Sequence, residues 1–248
     1  MLHTFFIFSF LFFMNFSLHG VSSNLQQNPI LSKGPSLPNY GTKDFANSIP
    51  YLRPPMLNQK ATIIVDPGHG GHDVGTQSVT KPRYQEKSLN LVTSRYLRDY
   101  LQYLGYTVIL TRDEDIFVSL DQRASFANAQ KPDVFVSIHY NSAPSAEAEG
   151  VEVFFYLSKD NKIRSQKSKK LALAVLNHVI AESSAKSRGV KHGNYAVIRE
   201  TNMPAILLEG GFVTNAEEMQ RLKDPNYLKM LAWGIAQGID DFLKKKKK

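Results

Sequence analysis

From residue 61 onward, short β-branched runs alternate with longer stretches whose apolar residues recur at the helical period. Thr62-Ile-Ile-Val65 reads as a buried strand, and Asp66-Pro67-Gly68 ends it abruptly. Glu86 opens a segment in which Leu89, Val92, Tyr96, Leu97, Tyr100, Leu101 and Leu104 keep to one helical face until Gly105 stops it. Tyr106–Leu110 is a second strand. Ser119, with Gln122 three residues on, has the spacing of a capping box and opens another helix. Asp133–His139 and Val151–Tyr156 are the third and fourth strands. A helix from about Ser165 to Ser183 would bury Leu171, Val175 and Val179. Tyr195–Ile198 and Ala205–Glu209 read as two further strands, and Asp224 caps a final helix with Pro225 in its first position, where the missing N–H costs nothing. Strands interleaved with helices predict an α/β fold: a three-layer domain whose central sheet, mostly parallel or mixed and of about six strands, is flanked by helices.

The residues before this pattern differ in kind. Residues 24–60 hold six of the twelve prolines (Pro29, Pro35, Pro38, Pro50, Pro54 and Pro55) among Asn, Gln, Ser and Gly, without apolar periodicity, and read as a linker. Phe5–Phe16 is an apolar block dominated by Phe and Leu, shorter than the roughly 20 residues needed to span a bilayer and suited to a signal-peptide core. The expected division is a signal peptide over 1–23, with cleavage after Ser23 or Gly20, a linker over 24–60, a catalytic domain over 61–243 and a polylysine tail over 244–248. That leader predicts a periplasmic or extracellular protein. No Lys or Arg precedes the apolar block, so an uncleaved anchor is the alternative.

Composition narrows the chemistry. The chain has no cysteine, which excludes disulfides and thiolate metal sites and leaves any metal to His, Asp or Glu. Its formal charge is +8, and Lys244–Lys248 form an uninterrupted run, so an anionic surface such as a membrane is an expected partner. No nucleic-acid module signature is present. A monomer is the default.

Three strands share one feature: each ends in a residue able to bind metal or carry a proton. The first leads into His69 on a glycine-lined turn, the third into His139-Tyr140-Asn141, and the sixth into Glu209-Gly210-Gly211. The carboxyl ends of a parallel sheet gather at one rim, where binding sites form in open α/β folds. Glu86, at a helix start that favours a carboxylate, is a fourth candidate, although acids in first helical turns are common for that reason alone. His69 by itself is as compatible with an inert turn histidine as with a zinc ligand, and the irregular spacing of the four residues does not establish a metal site. The glycines around His69 are expected to leave room for a bulky substrate. His72, Asn141 and Arg199 are lesser candidates for positioning a ligand or binding substrate, each with a surface or turn role as the alternative.

The ordered set Val65-Asp-Pro-Gly-His-Gly-Gly71, Glu86-Lys-Ser-Leu-Asn-Leu91, Leu110-Thr-Arg-Asp113, Ser137-Ile-His-Tyr-Asn141 and Leu208-Glu-Gly-Gly-Phe212 closely resembles the zinc-dependent N-acetylmuramoyl-L-alanine amidases of bacterial cell walls. The resemblance runs from about Thr62 to Ile239. It implies that His69, Glu86 and His139 bind Zn2+, with a fourth position open to water, and that Glu209 is the catalytic carboxylate. It further implies hydrolysis of the amide joining N-acetylmuramic acid to L-alanine in peptidoglycan or its precursors, for wall remodelling or cell separation. Some relatives block the zinc with a long helix after Ser-Ile-His. Asn141 to Glu149 are too few residues for such a helix, so an unobstructed site is expected. Two other readings compete with this one. Ser78-Val-Thr-Lys81 and Ser183-Ser-Ala-Lys186 match the Ser-x-x-Lys of penicillin-sensitive carboxypeptidases, at a frequency chance explains, and no Lys-Thr-Gly accompanies them. A non-catalytic peptidoglycan-binding protein on a degenerate amidase fold would be expected to have lost one of the four residues.

Overall fold

A computed structural model describes residues 61–245; the leader and linker assigned to 1–60, and the last three lysines, lie outside the described residues. The described residues form six strands and six helices. In chain order these are β1 (Thr62–Pro67), α1 (Glu86–Tyr103), β2 (Thr107–Leu110), α2 (Leu120–Gln130), β3 (Val134–Asn141), β4 (Val151–Phe155), α3 (Lys162–Ser183), β5 (Ser187–His192), α4 (Ala196–Arg199), β6 (Ala205–Phe212), α5 (Ala216–Leu222) and α6 (Pro225–Lys245). The sheet order is β2-β1-β3-β6-β4-β5. Strands β2, β1, β3 and β6 are parallel; β4 runs antiparallel to β6, and β5 parallel to β4. This is the expected three-layer α/β domain with a mixed sheet.

The helix starts follow from their caps. Ser119 and Gln122 form the reciprocal capping box at α2, and the Asp224 carboxylate accepts from Asn226 N at 2.9 Å at the start of α6. On one face of the sheet α6 packs between α1 and α3. Gly234 and Gly238 make the α3–α6 seam close: a Cβ on Gly238 would stand 2.4 Å from Val175 Cα, and one on Gly234 2.6 Å from Val179 Cα. Among the described residues, the opposite face is covered by α2 and the single turn of α4. There Ile64, Phe135, Ala205 and Leu207 pack with Ala127, Val197 and Ile198. The thin cover leaves the carboxyl ends of β1, β3 and β6 accessible on this face.

Two expectations need correction. Tyr195–Ile198 is not a strand: Ala196–Arg199 form α4, a helical turn that lays Val197 and Ile198 on the core. A short apolar run fits a buried helical turn as well as a strand, and periodicity over four residues cannot separate them. The strand at that end of the sheet is instead β5, Ser187-Arg-Gly-Val-Lys-His192. It is an edge strand with little buried surface, so its sequence carries no apolar alternation. The first two lysines of the terminal run are also helical, since α6 continues through Lys245, with Lys244 and Lys245 paired to Asp240 and Asp241 one turn back.

Candidate active site

The turn after β1 is held by two buried arginines. Asp66 is fully buried; Arg123 of α2 pairs with it at 2.7 Å, while Thr111 and Ser137 donate to its oxygens at 2.5 and 2.7 Å. Burial works against ionisation of Asp66, but Arg123 and these hydrogen bonds outweigh it and keep the carboxyl below its ordinary range. Arg123 also donates to the carbonyls of Pro67 and His69, at 2.6 and 2.7 Å. Arg112 donates to those of Pro67 and Gly68, at 3.0 and 2.7 Å. With these carbonyls taken, His69 is held in the left-handed region at φ 58°, a conformation that strains a residue with a side chain. The structure thus over-determines the direction in which the His69 ring leaves the strand.

Three side chains meet there. His69 Nε2 lies 3.2 Å from one oxygen of Glu86, and His139 Nδ1 lies 2.9 Å from the other. The ligand atoms of His69, Glu86 and His139 all fall within 4.8 Å of one another. Glu86 is the first residue of α1 and its carboxylate is 5% exposed. It also accepts from Thr76 N at 2.9 Å and Tyr140 N at 3.3 Å. Burial opposes its charge, yet His139 and His69 hold its pKa far below the ordinary carboxylate value. For His69, burial disfavours the charged ring, but Glu86 and Asp73 prevail and raise its pKa.

Glu209 completes the group from β6. It is paired in register with His139, so the two side chains leave adjacent strands on the same face. It is 9% exposed, and its Oε2 has no hydrogen-bond partner. Burial, and then the charges of Glu86 and Glu152, push its pKa well above the ordinary value. An unpartnered buried carboxylate oxygen beside two imidazoles and a second carboxylate is the environment a divalent metal and its water would complete. The donor set fits such an ion. His69 Nδ1 donates to the Asp73 carboxylate at 2.8 Å, occupying the nitrogen that faces away from Glu86. His69 and His139 border a cavity of about 530 Å³ that Phe117 and Leu120 also line. Residues 142–150, between β3 and β4, form a loop without a helix.

All four main candidates are therefore brought together, and of the lesser ones Asn141 lies beside them, on the Glu152 that pairs in register with Glu209. His72 is exposed, its ring tilted against Phe117 at 4.2 Å, and the position beside His69 belongs to Asp73. Asn141 donates to Glu152 at 2.6 Å. Arg199 ends α4, not a strand, and its guanidinium is engaged by Glu200 at 2.6 Å and Asn194 at 2.8 Å. Ser78 and Ser183 donate to local carbonyls, those of Thr80 and Val179, and Lys186 pairs with Glu149. The glycines serve the protein more than the substrate. A Cβ on Gly68 would lie 2.1 Å from the His139 ring, and one on Gly70 2.1 Å from the Ile116 carbonyl. Sequence reasoning missed Asp73, Arg123 and Glu152, and gave Arg112 no role. Asp73, four residues after His69 in a Gly-rich loop, looks like a turn former.

A sequence profile for the family described as N-acetylmuramoyl-L-alanine amidase matches residues 63–241. A crystal structure of an N-acetylmuramoyl-L-alanine amidase from Clostridium difficile 630 is 39% identical; the match covers 75% of this chain and 97% of that one, with a TM-score of 0.70. The catalytic domain of CwlV, an N-acetylmuramoyl-L-alanine amidase from Bacillus (Paenibacillus) polymyxa var. colistinus, is 35% identical over 74% of this chain and 98% of its own, with a TM-score of 0.68. The probable cell wall amidase LytH of Staphylococcus aureus is 35% identical over 73% of this chain, but the match spans only 58% of LytH.

Proposed function

Because the chain belongs to the N-acetylmuramoyl-L-alanine amidase family, we propose that it hydrolyses the amide between N-acetylmuramic acid and the L-alanine of peptidoglycan stem peptides, using zinc held by His69, Glu86 and His139. The observation that carries this reading is the convergence of those three residues beside the buried, unpartnered Glu209. Zinc at such a site supplies Lewis acidity, able to bring the pKa of water from 15.7 to about 7 and to polarise a carbonyl. The residues do the rest. Asp73 fixes the His69 ring and leaves Nε2 directed inward. Glu209, its basicity raised by burial and neighbouring carboxylates, takes the proton of the attacking water. It then delivers that proton to the alanine nitrogen as the carbon–nitrogen bond breaks. The open cavity and the helix-free loop at 142–150 support access by a large glycopeptide. Export through the leader at 1–23, and attraction of the lysine-rich carboxyl terminus to an anionic surface, belong to the same proposal.

The test is digestion of purified peptidoglycan with and without chelator, by wild type and by Glu209→Gln. Wild type with zinc is expected to release peptides with a free amino-terminal alanine and leave glycan strands intact. Glu209→Gln should retain its metal and lose activity about 10²–10⁴-fold, the usual worth of a positioned acid–base group. Activity that survives chelation sinks the zinc mechanism, and cleavage of the glycan strand sinks the amidase reading.

A further inference from the structure

The row of polar side chains on this sheet face does not stop at Glu209. Glu209 pairs in register with His139 on one side and with Glu152 of β4 on the other. Cross-strand neighbours point to the same face, so His139, Glu209 and Glu152 form one line across three strands. Glu152 is 5% exposed and heavily engaged: Asn141 donates to one oxygen at 2.6 Å, Arg188 of β5 reaches the other at 3.0 Å, and the Lys191 ammonium shares that second oxygen. One cation would neutralise this buried carboxylate. Two are present, one of them surplus, and their side chains are 35% and 41% exposed. Tyr195 stands edge-on to Phe154 at 5.1 Å and close enough to Glu209 and Glu152 for both charges to raise its phenol's pKa beyond the effect of burial.

We propose that Arg188 and Lys191, held in place by Glu152, form a subsite for a carboxylate on the peptide portion of the substrate. This rests on the amidase reading for which molecule enters. Strand β5 lies two strands from β6, roughly 10 Å at about 4.8 Å per spacing. An extended chain advances about 3.3–3.6 Å per residue, so the anion recognised sits two or three residues from the scissile amide. Arg188 Nε is used on Glu152, one terminal nitrogen donates to the Glu149 carbonyl at 3.3 Å and the guanidinium lies over the Phe212 ring at 4.8 Å, which leaves its other terminal nitrogen, beside the Lys191 ammonium, to meet a carboxylate. Glu152 acts through the two cations and is a positioning residue.

The test compares two muramoyl peptides that differ only in whether a carboxylate two residues from the scissile bond is free or amidated. Wild type is expected to prefer the free acid by about tenfold in kcat/KM, the value of a charge-assisted hydrogen bond partly open to water. Arg188→Met and Lys191→Met should each erode that preference through KM, with kcat little changed, and Lys191→Arg should keep it. The same pair of peptides, without the sugar, is titrated calorimetrically against wild type and variants, a readout that needs no turnover. Discrimination in binding without hydrolysis would leave the subsite standing and remove the amidase reading. Hydrolysis with equal KM for acid and amide, or variants that lose both substrates equally, would overturn the subsite alone.

Discussion

At the scale of the residue, the site depends on a histidine held at positive φ by carbonyl contacts and aimed by one carboxylate. His69 Nδ1 rests on Asp73 at 2.8 Å, so its other nitrogen faces Glu86. Removing such an orienting partner commonly weakens metal binding 10–100-fold. Asp73→Ala is therefore expected to lower zinc affinity by about that factor in competition with a chelating dye. Thermal unfolding of the metal-free chain should barely move, because the Asp73 side chain is 42% exposed and pairs at the surface are worth little. Unchanged affinity would mean that the backbone alone aims His69. Of the proposed ligands, His69 and His139 were legible where apolar runs end, while Glu86, at the start of α1, stood out only through its resemblance to the family's motif. Asp73 was not legible, because a carboxylate beside glycines in a loop is indistinguishable from a turn former until its partner is seen.

At the scale of the element, the informative cases are those where packing chose between equal local signals. Tyr195–Ile198 became a helical turn because the α2 face of the sheet needed covering near Phe135 and Leu207. Strand β5 formed with hardly any apolar residue because β4 offered it an edge. Gly238 belongs here as well. Within α6 a glycine costs helix stability, and the close approach to Val175 repays it. Gly238→Ala should drive α3 and α6 apart and destabilise the protein by about 1–3 kcal/mol, the usual cost of overpacking. Urea unfolding measures this directly. A stabilised variant would show that helix propensity outweighs the seam.

At the scale of the whole molecule, two buried carboxyls with opposite shifts shape stability against pH. Asp66 has a folded pKa below its ordinary 3.8, so its contribution is complete above that value and is lost as pH falls through the folded pKa. Glu209 has a folded pKa well above 4.5, so its contribution is complete below 4.5 and is lost as pH rises through the raised value. In chelator, wild type should be more stable near pH 5 than at pH 8. Glu209→Gln should reduce the loss on the alkaline side and leave the acid limb in place, the remaining alkaline loss including that of His69, whose raised pKa gives stability that fades as pH rises through it. Urea midpoints across that range decide it, and an alkaline limb undiminished in the variant would take Glu209 out of it.

The sequence by itself determined the order of most elements and the class of the fold, and its resemblance to the family singled out the four candidate residues of the centre. Apolar period, caps and strand-ending turns are local signals, and the family's motifs fall on those turns. The tertiary structure decided what depends on distant partners. It placed β4 and β5 antiparallel to the other four strands, which aligns Glu152 with Glu209 and brings Arg188 and Lys191 to the same face. It spent the glycines of the first turn on the His139 ring and the Ile116 carbonyl. It also gave Arg112 and Arg123 the task of shaping the loop that carries His69. Hydrogen bonds across 44 to 56 residues leave no mark on local pattern, because each partner alone looks like an ordinary charged residue.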